Sequence, residues 1–250
     1  MKTATPTTVA IVTGGGSGIG LAITEKFVQN KITTVIVGRD PEKLHQAKQK
    51  LGELCVPIVT DISDLSAIPS LVNQVIKQFG RIDILVNNAG INMKKEFTDV
   101  TDEDFQKVIL TNLTAVFALT REVVKNMLTA GKGSIVNISS MAAQYGIPKV
   151  IAYSASKTAI EGMTRAMAVE LSPKGIRANC IAPGFIATEM TSKAFNNDVD
   201  RKNKAMSRTP MGVMGAPSDI GDAALFLATD ASRYITGVVL PVDGGNSIGF

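Results

Sequence analysis

The chain of 250 residues has no tryptophan, a single histidine and two cysteines. His45 lies in the polar helical stretch PEKLHQAKQKLG and reads as a surface residue. A zinc site and a Ser-His-Asp triad therefore both lack parts. Cys55 and Cys180 stand in the apolar contexts LCVPIV and ANCIAP, outside any CxxC, as buried thiols do. No stretch approaches the ~18–20 apolar residues of a membrane helix. The opening MKTATPTTVAIVTGG has too short an apolar run for a signal peptide. No long basic run exists: net charge is +4, from 26 basic and 22 acidic residues spread along the chain. Nucleic-acid and membrane partners are not implied. A reducing, cytoplasmic setting is expected, and no metal.

What is present is an alternation. VAIVTG, TTVIVG, CVPIVTD, IDILVNNAG, GSIVNISS, IRANCIAPG and GVVLPVDGG are short, nearly continuous apolar runs. Such runs suit parallel strands covered on both faces. Helical patterns separate them: GLAITEKFVQN, PEKLHQAKQKLG, LSAIPSLVNQVIKQFG, a long segment near 101–130, 153–171 and PSDIGDAALFLAT. The fold expected is α/β: one domain over 1–250, with a doubly wound parallel sheet of about seven strands and helices on both faces. The polar stretch 188–214 interrupts the alternation after the sixth strand, where ligands bind in such folds. It is expected to be a substrate lid.

The first strand-turn-helix unit, VAIVTGGGSGIGLAI, carries Gly14, Gly18 and Gly20 as G-x-x-x-G-x-G. Glycine lets the backbone turn tightly and approach a pyrophosphate, and the following helix presents free N–H groups and a positive dipole end. Gly16, Ser17 and Ile19 complete the loop. At the end of the second strand, a carboxylate would accept from a ribose 2′-OH and favour NAD(H). The chain has Gly38-Arg39-Asp40 there. Arg39 can make charge-assisted bonds to a 2′-phosphate, and Asp40 suits the cap of a helix starting at Pro41. NADP(H) is expected over NAD(H), although Ser17 stands where a second basic residue would have strengthened the expectation.

Tyr153 and Lys157 lie four apart in YSASK, on one helix face, with Ser140 thirteen residues before the tyrosine. A Tyr-Lys pair at this spacing is by itself common on solvated faces. Its company along the chain gives it weight. A cation near the phenol favours the phenolate: at ~4 Å it contributes up to ~4 kcal/mol at an effective dielectric of 20. Each pKa unit needs ~1.4 kcal/mol.

TGGGSGIG, NNAG at 87–90, Asn112, Ser140, YSASK and PGFIAT at 183–188 recur in order. With RYITGVVLPVDGG near the end, this set resembles the short-chain dehydrogenase/reductase family over essentially the whole chain. The resemblance implies that Tyr153 is the acid-base residue of hydride transfer between a nicotinamide and a carbonyl or secondary alcohol. Lys157 would hold the nicotinamide ribose and lower the tyrosine pKa. Ser140 would donate to the carbonyl oxygen, and Asn112 would hold a relay water. Asp61 and Ile62 match adenine-contacting positions. Asn88 and Gly90 would line the adenosine side, and Ile186 and Thr188 would hold the carboxamide. Asn87 reads as structural. A non-catalytic dinucleotide sensor would be expected to break this tetrad, and all four members are present.

APGFIATEMT is similar to 3-oxoacyl-acyl carrier protein reductases. Those enzymes meet an acidic carrier through basic residues, which Lys174 and Lys132 match in part. The alternative substrate is a small ketone, diketone, sugar or polyol, taken in a mostly apolar pocket near Met141, Gln144, Ile147 and Met190. The family also implies a homotetramer, with apolar helix faces near 101–130 and 153–171 paired by symmetry.

Overall fold

The computed structural model describes residues 8–195 and 199–249. Of the expected unit 1–250, the segments 1–7 and 196–198 and residue 250 lie outside the described residues. The strands are β1 (Val9–Thr13), β2 (Thr33–Gly38), β3 (Cys55–Val59), β4 (Ile84–Asn87), β5 (Gly133–Ile138), β6 (Ile176–Pro183) and β7 (Val239–Val242). All pair in parallel, in the order β3-β2-β1-β4-β5-β6-β7. The helices are α1 (Gly18–Gln29), α2 (Pro41–Leu51), α3 (Ile68–Phe79), α4 (Asp102–Ile109), α5 (Ala115–Ala130), α6 (Ile151–Leu171), α7 (Glu189–Phe195), α8 (Val199–Ser207) and α9 (Pro217–Ala228).

Alternation along each strand explains the continuous apolar runs. Val9 and Ile11 enter one apolar cluster with residues of α3, α5 and α6. Ala10 and Val12 enter the other with Ile23 and Phe27 of α1 and Ile220, Ala224 and Leu227 of α9. Phe27 is fully buried, and such a side chain contributes roughly 1.5–3 kcal/mol. The edge strand β3 tolerates Pro57 because one of its sides needs no ladder donor.

From β1 the chain builds outward to β3, then returns and continues from β4 on the other side. The loops after β1 and β4 diverge at this reversal and leave a crevice at the carboxyl edge of the sheet. Ser140 follows β5 and Ile186 follows β6 at that same edge.

Two segments between the strands need separate description. The stretch 101–130 is not one helix. A capping box of Thr101 and Asp104 starts α4, and a π-helical turn, Leu110–Thr114, separates it from α5. The stretch 188–214, expected to be a substrate lid, carries α7 and α8 in its described residues. Phe195 of α7 is buried and lies 5.6 Å from the Phe185 ring. The sequence VDRKNKAMS of α8 has little apolar stripe to announce a helix.

Candidate active site

Lys157 is buried, and its Nζ donates to the carbonyl of Ile138, the last residue of β5, at 2.7 Å. The same Nζ lies 5.5 Å from the centroid of the Tyr153 ring. Two residues past Ile138, Ser140 has an extended backbone (φ −169°, ψ 157°), and its Oγ caps a short turn by accepting from the Ala142 N–H at 3.1 Å. The Ser140 hydroxyl lies on the phenol side of the site and favours ionisation of Tyr153. Its neighbour Ser139 turns into the protein, donating to Glu161 Oε1 at 2.8 Å and Lys157 O at 3.4 Å. The two-residue period of extended chain thus separates the serines: Ser140 faces the phenol and Ser139 the interior.

Asn112 sits in the π-helical turn, 1% exposed. Its Oδ1 accepts from the Ile91 N–H at 2.8 Å, and its Nδ2 donates to Ile91 O at 2.9 Å and Ser156 Oγ at 3.1 Å. A Cβ on Gly90 would come within 3.2 Å of Asn112 Oδ1 and 3.6 Å of Lys157 Nζ. All four expected catalytic residues therefore converge at the carboxyl edge.

The electrostatics of the pair are set by burial. Burial pushes the Tyr153 phenol above its ordinary value, and Ser140 pulls it only part of the way back. Lys157, 5.5 Å from the ring centroid, is not among the groups that shift the phenol in the cofactor-free protein. Its ammonium is held on Ile138 O, and burial lowers its own pKa to about 8. At neutral pH the phenol is protonated and the amine still mainly charged. This is a site loaded with a proton to give.

Next to it is a pocket of about 420 Å3. Gly14, Gly16, Ser17, Arg39, Asp61, Ile62 and Gly90 line it, as does Lys43. The glycine loop fits close approach by a phosphate chain. Gly14 has φ +67° and lies under the Asn88 amide, and a Cβ on Gly20 would stand 2.1 Å from Gly14 O. Gly18 also has positive φ, and a Cβ there would come 3.7 Å from Thr188 Cγ2, which brings Thr188 beside the loop. Ile19 packs against the α1/α9 core, and Ile186 lies within it, bridged to Gly215. Asp40 caps α2 as expected, its Oδ1 accepting from the Glu42 and Lys43 N–H groups. Arg39 is largely exposed and pairs with Asp61 at 3.7 Å. Burial pushes Asp61 up, but the Ser63 hydroxyl and amide, with Arg39 beside it, bring it below its ordinary value.

Asn88 does not point its amide into the pocket. Its Nδ2 donates to Thr13 O at 2.9 Å, bracing the glycine loop from behind. Thr13 Oγ1 accepts from the N–H groups of Asn88 and Ala89, both at 3.0 Å. Thr13 was not expected from sequence, and only its place at the end of β1 could have suggested it. Asn87 is structural, as expected: its Nδ2 reaches Thr120 Oγ1 at 3.0 Å and Asn137 Oδ1 at 2.8 Å. Asn137 continues to Thr164 at 2.8 Å, so a buried polar chain ties α5 and α6 through the sheet. Around the expected substrate pocket, Met141 is buried and Gln144 exposed, while the Met190 side chain lies outside the described residues.

Both cysteines are buried, and burial pushes them up, Cys55 to about 11 and Cys180 to about 12. Neither is a nucleophile at neutral pH. His45 is exposed, 2.8 Å from Gln49. Among the described residues, no helix is long and apolar enough to cross a membrane.

A family model described as Enoyl-(Acyl carrier protein) reductase matches residues 14–247. The 3alpha-hydroxysteroid dehydrogenase of Mediterraneibacter gnavus is 40% identical over 241 residues, 94% of this chain and 95% of its own length. The 3-oxoacyl-[acyl-carrier-protein] reductase FabG of Thermotoga maritima is 40% identical over 240 residues, 95% and 96% of the two chains. Among solved structures, a protein assigned as an NAD(P) dependent gluconate 5-dehydrogenase from Beutenbergia cavernae superposes with a TM-score of 0.90. It is 36% identical, covers 95% of this chain and 96% of its own, and holds NADP at low occupancy. With a seven-stranded parallel sheet, a glycine loop at its reversal and a tyrosine-lysine pair at its carboxyl edge, the chain belongs to the short-chain dehydrogenase/reductase family of NAD(P)-dependent oxidoreductases.

Proposed function

We propose that the protein reduces the ketone of a 3-oxoacyl thioester to a secondary alcohol, with NADPH as reductant and Tyr153 as proton donor. The observation that carries this is the Tyr153 ring 5.5 Å from the Nζ of a buried Lys157, with Ser140 in the turn after β5 at the same edge of the sheet. When bound, the nicotinamide supplies the hydride. Gly14, Gly16 and Gly18 give its phosphates access to the backbone, Arg39 meets the 2′-phosphate, and Asp61, Ile62 and Gly90 flank the adenosine. Ile186 and Thr188 close the nicotinamide side. Ser140 and Tyr153 converge where a carbonyl oxygen would receive both hydroxyl protons as charge develops. Lys157 holds the ribose and resupplies the proton. Asn112 clamps Ile91, and a second lone pair on its Oδ1 is available to a relay water. The described helices of the expected lid, α7 and α8, close over the substrate.

A dehydrogenase of small polyols or sugar acids is the second reading, and a particular placement favours it. Lys132 and Lys174 precede β5 and β6, at the end of the sheet opposite Tyr153. Lys132 is already paired with Asp230 at 3.2 Å. At ~3.3 Å per residue, the eight residues of β6 set these lysines some 25 Å from the site within one protomer. A carrier would have to meet them on another copy. NADPH oxidation decides. If a carrier docks, carrier-bound 3-oxoacyl groups outperform the same groups on a small thioester, and the advantage shrinks with salt and in Lys174→Glu. Equal activity on both discards the carrier. Turnover of polyols or sugar acids alone discards the thioester.

Four copies assemble, on the same proposal. Phe117 and Leu128 of α5 and Ile151 and Val169 of α6 are exposed, Val169 by 81%. Symmetric pairing would bury them. Light scattering should give about four times the 26.4 kDa of one chain. A mass of one chain would refute assembly, and twice that mass would leave only one interface.

A further inference from the structure

The glycine loop has Ser17 where a second cation for a 2′-phosphate was sought, but α2 brings one to the same place. Lys43 lies in the first turn of α2 and lines the pocket with Arg39. Its backbone packs directly on the loop: a Cβ on Gly16 would stand 3.3 Å from the Lys43 carbonyl carbon and from Leu44 N. Across the mouth of the loop, Lys43 Nζ lies 3.9 Å from Glu189 Oε2, at the start of α7. The lysine is half-exposed and its partner more so.

We propose that Lys43 is a specificity-determining residue for the cofactor, the second cation of the 2′-phosphate subsite, and that Glu189 competes with the phosphate for it. This rests on the proposed NADP(H) reading and deepens it. Three carboxylates, Asp40, Asp61 and Glu189, stand around two cations. Asp40 is committed to the amide groups of α2. The other two each hold one cation in an exposed pair, Asp61 with Arg39 at 3.7 Å and Glu189 with Lys43 at 3.9 Å. Exposed pairs of this length are weak. A phosphate near −2 charge, meeting both cations through charge-assisted bonds, displaces both carboxylates. A ribose 2′-OH carries no charge and displaces neither. Discrimination is thus shared by two cations on separate elements. The cost of freeing Lys43 is set by a residue of the segment expected to close over substrate.

Calorimetric titration of the whole protein tests this without turnover. The probes are adenosine 2′,5′-bisphosphate and 5′-AMP, which differ only in the 2′-phosphate. Lys43→Gln should lower affinity for the bisphosphate about five- to tenfold and leave 5′-AMP within twofold. Glu189→Gln should raise affinity for the bisphosphate about two- to fivefold, again without moving 5′-AMP. Equal losses for both probes in Lys43→Gln would place the lysine on the 5′-phosphate and overturn the proposal. So would an unchanged bisphosphate affinity in either variant. Arg39→Ala separates the two readings. If it abolishes the discrimination while Lys43→Gln does not, the NADP(H) reading stands and the Lys43 proposal falls. If the unaltered protein binds both probes equally, both fall.

Discussion

Tyr153→Phe is expected to lower kcat for carbonyl reduction about 10²- to 10⁴-fold, the usual contribution of a positioned acid. Cofactor affinity should stay within a few-fold, because the ring still packs and Lys157 keeps its bond to Ile138 O. Steady-state rates with NADPH, beside a direct binding titration, separate the two effects. The pH dependence carries a second check. Burial holds the phenol above its ordinary value, so the donor remains protonated as pH rises past neutrality. The group that titrates first is Lys157, near 8. Its folded value is depressed, so it loses its charge earlier than an exposed lysine would. The reductive rate should fall as pH rises through about 8. Substantial activity in Tyr153→Phe would require another acid, and a rate level through pH 9 would remove Lys157 from the proton path.

Arg39→Asp is expected to reverse cofactor preference. The charge-assisted bond to a 2′-phosphate contributes ~1.5–3 kcal/mol, so kcat/KM with NADPH should fall roughly ten- to a hundredfold. An aspartate at the end of β2 can accept from a ribose 2′-OH, so kcat/KM with NADH should rise. The new carboxylate would face Asp61, which Arg39 now partners at 3.7 Å. Arg39→Ala therefore serves as the control that removes the cation without adding repulsion. Unchanged preference in both variants would withdraw Arg39 from cofactor choice.

The central strands were legible because they are buried on both faces, which forces an unbroken apolar run such as VAIVT in β1, whereas the edge strands β3 and β7 are partly exposed. The ordered motifs located Ser140, Tyr153, Lys157 and Asn112, and the structure brings them together. What could not be read depends on contacts distant in sequence. Whether Lys157 lowers the tyrosine depends on where its Nζ is anchored, and that anchor, Ile138 O, is a backbone atom with no sequence signature. At the π-helical turn between α4 and α5, Asn112 is hydrogen-bonded to Ile91, twenty-one residues away, a contact with no local sequence signature. Asn88 matches a cofactor-lining position, yet its amide is engaged by Thr13. Lys43 looked like one of several lysines on a polar helix until packing of α2 against Gly16 brought it to the pocket. Lys132 and Lys174 are adjacent to strand starts in sequence, and only the parallel sheet reveals that both lie at the end away from the chemistry.

The central claim is that this site moves hydride from the nicotinamide to a carbonyl carbon while the protein supplies the proton. NADPH deuterated at the transferring C4 position, with a 3-oxoacyl thioester and then with any ketone, sugar or sugar acid that is turned over, tests it most directly. Mass spectrometry of the alcohol should find one deuterium on the carbinol carbon, and a solvent proton on its oxygen. Product without deuterium, or no NADPH oxidation with any member of the panel, would contradict the claim.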